Sequence, residues 1–305
     1  MANSSGLNTT GILSRVTVAA ITAALVATTT SAVAAEAPTP RSADSAQSAP
    51  AAGAFNSPAA AADAPVNALY GVDSTGFMYG YVPNGQGGLD SRMFTGSGWE
   101  YTKQLTQVDH DADGSSDGIW AVTNGTLDYL AWGEDPVRIG SGWGIYNKVI
   151  STGNLGGAAA DDLLARDNAG KLYIYLGYGN GKVTSRTLVG AGWGAYTQIA
   201  GNGDLNNDGK ADIVARDGSG VLWLYKGTGN YKAPFEGRTK IGAGWNMFNN
   251  LVSVGDIDLD GITDLIARDT SGKLYRYSGT GIASAPFKPK AVIGTGGWNT
   301  YRLMF

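Results

Sequence analysis

Beyond residue 65 the chain alternates short apolar runs with clusters of Gly, Asp, Asn and Ser. One apolar-run-plus-turn phrase recurs five times, as LYGVDSTG, IWAVTNG, LLARDNAG, IVARDGSG and LIARDTSG. Asp or Asn opens the turn in most copies and Gly closes it in all, which is hairpin chemistry. After four of these turns comes an aromatic pair at i and i+2: Tyr79/Tyr81, Tyr173/Tyr175, Trp223/Tyr225 and Tyr275/Tyr277. A period of two places both rings of a pair on one strand face. The second copy, TLDYLAW, keeps this pattern poorly. A Gly-Trp mark also recurs, at Trp99, Trp143, Trp193, Trp245 and Trp298, with spacings of 44, 50, 52 and 53 residues.

A unit near 48 residues holding four short strands reads as a propeller blade, which cannot bury both faces alone and must stack in a ring. The predicted fold is therefore all-β: a five-bladed β-propeller over residues 66–305 with four-stranded blades. Within a unit, strand A follows the Trp, B precedes the Asp turn, C carries the aromatic pair and D precedes the next Trp. The first unit opens on a B strand (NALYGV) and the chain ends on an A strand, Tyr301-Arg302-Leu303-Met304-Phe305. The last strand is thus expected to pair with the strand at 67–72 and close the ring, removing two open sheet edges.

Composition narrows the chemistry. Gly contributes 46 of 305 residues and charged residues only 16%, which suits turn-rich β structure and argues against a helical bundle. Cys is absent and His110 is the single histidine, so disulfides, thiolate metal sites and multi-histidine zinc sites are excluded. The net charge of −4 points away from a nucleic-acid partner. Residues 1–35 read as a secretory signal peptide, with an 11-residue apolar run (Val16–Val26) and small residues up to Ala35. That run is too short to cross a bilayer, so no span is expected after cleavage. Residues 36–65 are almost wholly Ala, Pro, Ser and Asp and read as a disordered linker. A secreted, extracellular, monomeric protein follows as the expectation.

Four A–B loops are continuous. Three of them, DHDADGSSD (109–117), DLNNDGKAD (204–212) and DIDLDGITD (256–264), place oxygen side chains at positions 1, 3, 5 and 9 with Gly at 6. A hard cation such as Ca²⁺ needs six to eight oxygens, and alternate residues of a tightly coiled loop can supply them. An EF-hand would need Glu at position 12, where these loops have Trp120, Ala215 and Ala267. Three Ca²⁺ sites are expected, the third loop weaker because it offers three carboxylates and Asn206 where the others offer four. The bland alternative is that the acids form Asx turns. The remaining loop, NLGGAAADD (154–162), keeps only Asp162 in register, and no ion is expected there.

Asp loops followed by an apolar strand resemble the FG-GAP/VCBS repeat family of calcium-binding propellers. The resemblance covers residues 66–305. It implies metal ligation by Asp109, Asp111, Asp113 and Asp117; by Asp204, Asn206, Asp208 and Asp212; and by Asp256, Asp258, Asp260 and Asp264. A weaker similarity links the number five and the phrase IGTGGWNTYRLMF to the five-bladed tachylectin-type lectin propellers, although the acid-Asn-Trp segment of that family is missing.

Other candidates have structural readings beside functional ones. Trp99, Trp143, Trp193, Trp245 and Trp298 read as packing anchors, with sugar-stacking platforms as the alternative. Arg166, Arg216 and Arg268 share one position and are expected to bond blade-end carbonyls or turn aspartates, or else to face an acidic ligand. Asp73, Asp167, Asp217 and Asp269 should cap their hairpins. His110, between two loop ligands, is expected to point to water. Ser116 lies in a GxSxG string (GSSDG) with no helix after it, so no nucleophile elbow is expected. The functional expectation is a non-catalytic binding module for extracellular glycans or envelope polymers, with no catalytic residues. The alternatives are a protein-interaction module acting on another secreted protein and, more remotely, a metal-dependent hydrolase.

Overall fold

The structure is a computed structural model that describes residues 64–305. The leader at 1–35 and all but the last two linker residues lie outside the described residues. Five four-stranded antiparallel sheets form five blades. Blade 1 holds β1 (Leu69–Asp73), β2 (Met78–Tyr81) and β3 (Met93–Gly96). Blade 2 holds β4 (Thr102–Val108), β5 (Gly118–Thr123), β6 (Thr126–Ala131) and β7 (Val137–Ser141). Blade 3 holds β8 (Tyr146–Ser151), β9 (Leu163–Asp167), β10 (Leu172–Tyr175) and β11 (Thr187–Gly190). Blade 4 holds β12 (Tyr196–Ala200), β13 (Ile213–Asp217), β14 (Leu222–Tyr225) and β15 (Thr239–Gly242). Blade 5 holds β16 (Phe248–Val252), β17 (Leu265–Asp269), β18 (Leu274–Tyr277) and β19 (Ala291–Gly294).

The last strand, β20 (Tyr301–Met304), completes blade 1 as expected, pairing Gly71 with Met304 and Val72 with Leu303. Tyr70 and Phe305 extend the pairing by exchanging two backbone hydrogen bonds of 2.8 and 3.1 Å. Gly71 is required at this seam, because a Cβ there would lie 2.6 Å from the Tyr301 ring.

Alternation with period two divides each blade between two apolar clusters, one per interface. In blade 1, Tyr70, Val72 and Met78 pack with Leu105, Ile119 and Ala121 of blade 2. Leu69, Tyr81 and Met304 turn the other way, toward Ile257, Ile266 and Leu274 of blade 5. The A strands β4, β8, β12, β16 and β20 surround the axis, with β4 packed on β8 and on β20, and β12 on β16. Each A strand begins at a Gly-Trp turn at one end of the blade and runs to an A–B loop at the other. Pro65 is held against that loop end, where its carbonyl accepts from Asp256 N at 2.7 Å.

The two repeated sequence marks meet in space. The N–H groups of Trp99, Trp143, Trp193, Trp245 and Trp298 donate to the carbonyls of Gly76, Gly125, Gly170, Gly220 and Gly272, at 2.9–3.2 Å. Each of these glycines closes the hairpin of the preceding blade. Before four of the tryptophans a left-handed glycine (Gly142, Gly192, Gly244 and Gly297, φ 84–89°) turns the chain into a single 3-10 turn. The tryptophan carbonyl is then gripped by an arginine of the same preceding blade. Arg166 Nη1 donates to Trp193 O and Tyr196 O, Arg216 Nη1 to Trp245 O and Phe248 O, and Arg268 Nη1 to Trp298 O and Tyr301 O. Arg302, from the closing strand, does the same for Trp99 O and Thr102 O. The arginine expectation is met in its carbonyl-bonding form.

The junction between blades 2 and 3 lacks this arginine, since Val122 stands at the position of Arg166. That junction is tied instead at the loop end. Asp109 N donates to Asp161 Oδ2 and Asp161 N to Asp109 O, both at 3.0 Å.

Arg268 is 9% exposed and has no carboxylate partner, and its removal takes a charged donor from two carbonyls, of which Trp298 O keeps the Tyr301 N–H. Arg268→Met should cost about 2–4 kcal/mol, read by urea unfolding. Arg138→Met, at a side chain 76% exposed, should cost almost nothing.

Candidate functional site

The four A–B loops share one backbone frame. The position-1 residue accepts from the N–H of position 4 in each loop: Asp109 from Ala112, Asn154 from Gly157, Asp204 from Asn207 and Asp256 from Leu259. Position 4 is left-handed in all four, at Ala112 (φ 61°), Gly157 (88°), Asn207 (62°) and Leu259 (61°). Ala and Leu rarely take this conformation, which costs on the order of 1 kcal/mol or more.

The acid at position 9 has a role that spacing alone did not reveal. The Oδ2 atoms of Asp117, Asp162, Asp212 and Asp264 each accept from the position-2 N–H, at 2.6–3.1 Å. In blades 3 to 5 the Oδ1 atoms of Asp162, Asp212 and Asp264 accept from Gly177, Gly227 and Gly279 N, just past the C strand. This acid therefore staples the loop to its own blade, which accounts for Asp162 in a loop that has lost its other acids. The Asx-turn reading and the cation reading are not exclusive, because the carboxylates that cap the backbone also converge.

In loop 1, oxygens of Asp109, Asp111 and Asp117 lie within 4.8 Å of one another, and in loop 4 those of Asp256, Asp258, Asp260 and Asp264 do so. Either group could hold a metal ion. Asp113 stands apart, accepting from Ser115 N. In loop 3 the Asn206 amide donates to Asp212 Oδ2 at 2.6 Å, and Asp208 accepts from Lys210 N. A cation there would require the amide to present its oxygen, a half-turn about its last bond. Burial raises the pKa values of these acids, whereas a bound cation would lower them. Asp109 and Asp256 are raised, and Asp212 and Asp264 are pushed up to about 7, all chiefly by burial. A bound divalent ion supplies the missing counter-charge and reverses the shift. The donor set of oxygens only, in a tightly turned loop, fits Ca²⁺ better than a softer metal.

Loop 4 differs from loop 1 in a way that alters the expected ranking. Arg276 Nη2 lies 2.9 Å from Asp258 Oδ2, and its Nε is 3.9 Å from Asp264 Oδ2. Lys288 Nζ reaches Asp260 Oδ2 at 2.7 Å. Two side-chain cations thus oppose four carboxylates in loop 4, whereas among the described residues no such ion pair is made to loop 1. Arg276 occupies the position of Ile174 and Leu224 in blades 3 and 4, so the signal was present in the aligned repeats.

The five framing tryptophans are 4–8% exposed, which fits the packing reading. Four of the rings lie on the second aromatic of the C strand, with centroids 4.5–4.7 Å apart: Trp298 on Tyr81, Trp143 on Tyr175, Trp193 on Tyr225 and Trp245 on Tyr277. Trp99, entering the irregular second blade, has no such partner, and its indole N–H is buried without an acceptor. Beside Trp193 opens a cleft of about 500 Å³ between blades 3 and 4, lined by Gly190–Gly192, Tyr196, Lys232, Phe235 and Glu236.

Sequence reasoning also missed a row of cations at the start of the D strands. Arg92, Arg186, Arg238 and Lys290 lie over the first rings of the aromatic pairs, Tyr79, Tyr173, Trp223 and Tyr275, at 4.0–4.8 Å. In blade 2 Asp128 replaces that ring and pairs with Arg138 at 3.8 Å. Arg186 and Arg238 also donate to Tyr146 and Tyr196 hydroxyls, each of which shares a 2.5 Å bond with the neighbouring tyrosine.

His110 does not point to water. Its ring packs edge-on against Trp120 and Tyr129, and Nε2 accepts from Gly181 N at 3.0 Å. The C–D loop of blade 3 folds over loop 1 and encloses it, and that burial lowers its pKa. Ser116 Oγ donates to Gly118 O, a turn bond rather than a nucleophile's contact. Asp73, Asp167, Asp217 and Asp269 cap their hairpins as expected, each accepting two backbone N–H groups.

Comparison with known proteins agrees with this loop architecture. Residues 159–215 and 204–267 match the family model of the FG-GAP-like repeat, each match running from one A–B loop through the next B strand. Residues 159–267 thus carry FG-GAP-like repeats. No curated protein matches it in sequence. Among solved structures, the BP39L lectin from Burkholderia pseudomallei is 13% identical, with 77% of this chain and 71% of that chain covered and a TM-score of 0.43. A triple arginine mutant of AofleA from Arthrobotrys oligospora is 10% identical, with coverages of 77% and 73% and a TM-score of 0.43. Prp20p from Saccharomyces cerevisiae is 12% identical at a TM-score of 0.38; 75% of this chain is covered, and it spans 61% of Prp20p. It likewise spans 63% of the BBS1N chain, at 12% identity, 74% coverage of this chain and a TM-score of 0.39. No helix among the described residues is long and apolar enough to cross a membrane.

Loops 1 and 4 should not be equal in affinity. Arg276→Leu removes a positive charge about 3 Å from Asp258 and should tighten Ca²⁺ at loop 4 by about tenfold or more. Calorimetric titration checks this. Unchanged affinity would show that the arginine swings away on binding.

Proposed function

We propose that this is a secreted, calcium-stabilised, non-catalytic propeller that binds extracellular glycans or envelope polymers through clefts between its blades. The observation that carries the reading is the recurrence of one cleft frame. Trp193 with Tyr196 and Tyr225 repeats as Trp143 with Tyr146 and Tyr175, as Trp298 with Tyr301 and Tyr81, and as Trp245 with Phe248 and Tyr277. A polymer with repeating units can engage several such clefts at once, so weak sites sum to useful affinity. The buried tryptophans form the floor of the cleft rather than open stacking platforms. Its walls bring tyrosine hydroxyls, Lys232 and Glu236 within reach of sugar hydroxyls. The cations at the D strands favour polymers that carry carboxylate or phosphate.

Ca²⁺ enters this reading as a structural ion held by Asp109, Asp111 and Asp117, by Asp204, Asn206, Asp208 and Asp212, and by Asp256, Asp258, Asp260 and Asp264. Extracellular modules bind it at about 10⁻⁴–10⁻³ M. At a tenfold excess over the dissociation constant each site adds about 1.4 kcal/mol of stability.

The mature protein should bind acidic polysaccharides on a glycan array more strongly than neutral ones. Ala191→Trp places a bulky ring at the mouth of the Trp193 cleft from an exposed position. It should weaken binding to an immobilised polymer several-fold, by loss of one site among several, with melting unchanged. No glycan binding, together with capture of one defined secreted protein, would replace this reading with the protein-interaction one. Chelation should lower the melting temperature, and Asp162→Ala should leave the calcium count unchanged.

A further inference from the structure

Three blades share one side-chain cluster that the other two lack. The residue before the D strand is Arg92, Pro136, Arg186, Arg238 and Lys290 in blades 1 to 5. The first residue of the A strand is Tyr301, Thr102, Tyr146, Tyr196 and Phe248 in the same order. The second aromatic position of the C strand holds Tyr81, Leu130, Tyr175, Tyr225 and Tyr277. Arginine therefore occurs only where both tyrosines do, in blades 1, 3 and 4. The two tyrosine hydroxyls share a 2.5 Å bond in each of these blades. Arg186 and Arg238 add Nη1 bonds to Tyr146 and Tyr196, at 2.9 and 2.5 Å, and Arg92 lies beside the Tyr301 hydroxyl.

Counting hydrogens shows what each cluster lacks. Two hydroxyls own two hydrogens, and their shared bond uses one. The other has no acceptor among the described residues, whichever hydroxyl supplies it. Burial, and then the shared bond, raises the pKa of Tyr81, Tyr175 and Tyr225, so these hydroxyls stay protonated at neutral pH. A guanidinium only donates. In Arg186 and Arg238 the bonded atom is Nη1, so the edge formed by Nε and Nη2 has no partner among the described residues. All three arginines are exposed, and none forms an ion pair with a described residue. The hairpin acids Asp167 and Asp217 are engaged by their own turns and by Tyr173 Oη and Trp223 Nε1. In the Trp193 cleft, Glu236 is already paired with Lys226.

Each cluster is thus a set of donors with a positive charge and no acceptor. We propose that Arg92, Arg186 and Arg238, each with its tyrosine pair, form three subsites for the carboxylate of an acidic sugar. The inference rests on the glycan-binding reading above and names the class of sugar that the clefts select. A carboxylate is planar, only accepts, and meets the open guanidinium edge with both oxygens. The spare tyrosine hydrogen meets a further lone pair. A neutral sugar hydroxyl instead brings a hydrogen for which the cluster has no acceptor. In blade 4, Tyr196 and Tyr225 line the Trp193 cleft, which takes the sugar ring beside the charge. Blades 2 and 5 lack the cluster and contribute no acid-selective subsite.

The test follows the arginine Nε–H signals of the mature, calcium-loaded protein by NMR. The titrants are glucuronate, galacturonate and N-acetylneuraminate, each beside its methyl ester. At least one acid should shift the signals of Arg92, Arg186 and Arg238 saturably and leave Arg138 still. It should bind about tenfold or more tightly than its ester. Tyr225→Phe keeps the ring and should weaken that acid about threefold to tenfold at Arg238 alone. Arg238→Gln should lower the number of subsites from three to two. Equal responses to acid and ester, or an Arg138 response as large as the others, would overturn the carboxylate assignment and leave neutral-glycan binding standing. Silence of the three arginines in a protein that still binds an immobilised polymer would overturn it as well. Absence of binding to any saccharide would bring down the glycan reading, and this inference with it.

Discussion

The grip of each blade on the backbone of the next blade's tryptophan is the interaction on which the rest depends. A four-stranded blade has two apolar faces, so its angle to both neighbours must be fixed before either face can be buried. Apolar contacts alone are non-directional and would tolerate a sliding interface. The glycine carbonyl on one side of the tryptophan peptide and the arginine on the other are directional, and they act at the start of every A strand but one. An arginine bonded to carbonyls rather than to a carboxylate is suited to this, since its fork of donors has fixed geometry and it stays charged when buried. The tryptophan ring then lies on a C-strand tyrosine of its own blade, so the lock also orders the floor of the rim cleft.

The exception shows what the lock contributes. Between blades 2 and 3, where Val122 replaces the arginine, the tie moves to the loop end. Asp109 and Asp161 exchange backbone and side-chain bonds there, and His110 and Trp120 together hold Gly181. Loop 1 thus joins two blades, whereas the acids of loop 4 mainly meet cations and backbone of their own blade. An ion in loop 1 would bear on the closure of the ring, and an ion in loop 4 on one blade.

Much of this was legible because the repeats can be laid over one another. Blade number, strand order, ring closure, the capping aspartates and the arginine contacts all follow from marks that recur in register. What escaped the sequence involves a partner from another strand or blade. The staple made by Asp117, Asp162, Asp212 and Asp264 reaches backbone N–H groups that leave no residue-type signature. The burial of His110 depends on a loop some 70 residues away. The D-strand cations and Arg276 were visible as residue types, but only strand pairing shows that they sit over rings or beside loop acids. Asp128 illustrates the point: as sequence it breaks the aromatic pattern, and as structure it keeps the Arg138 contact by exchanging a ring for a carboxylate.

The geometry also separates two roles that the sequence left joined. A–B loops lie where the A strands end, and the framing tryptophans, with the Trp193 cleft, lie where they begin. Strand β12 alone has five residues between the Trp193 turn and the start of loop 3, and strands rise about 3.3 Å per residue. A ligand seated at Trp193 is therefore some 15 Å or more from an ion at Asp204, beyond any shared coordination. An ion held in these loops could influence such a ligand only through the stability and curvature of the ring, so its loss would disorder sites collectively instead of weakening one contact. The same separation leaves the loop end, crossed by Pro65 and Val66, as a second surface whose chemistry is set by acids and by whatever cation neutralises them.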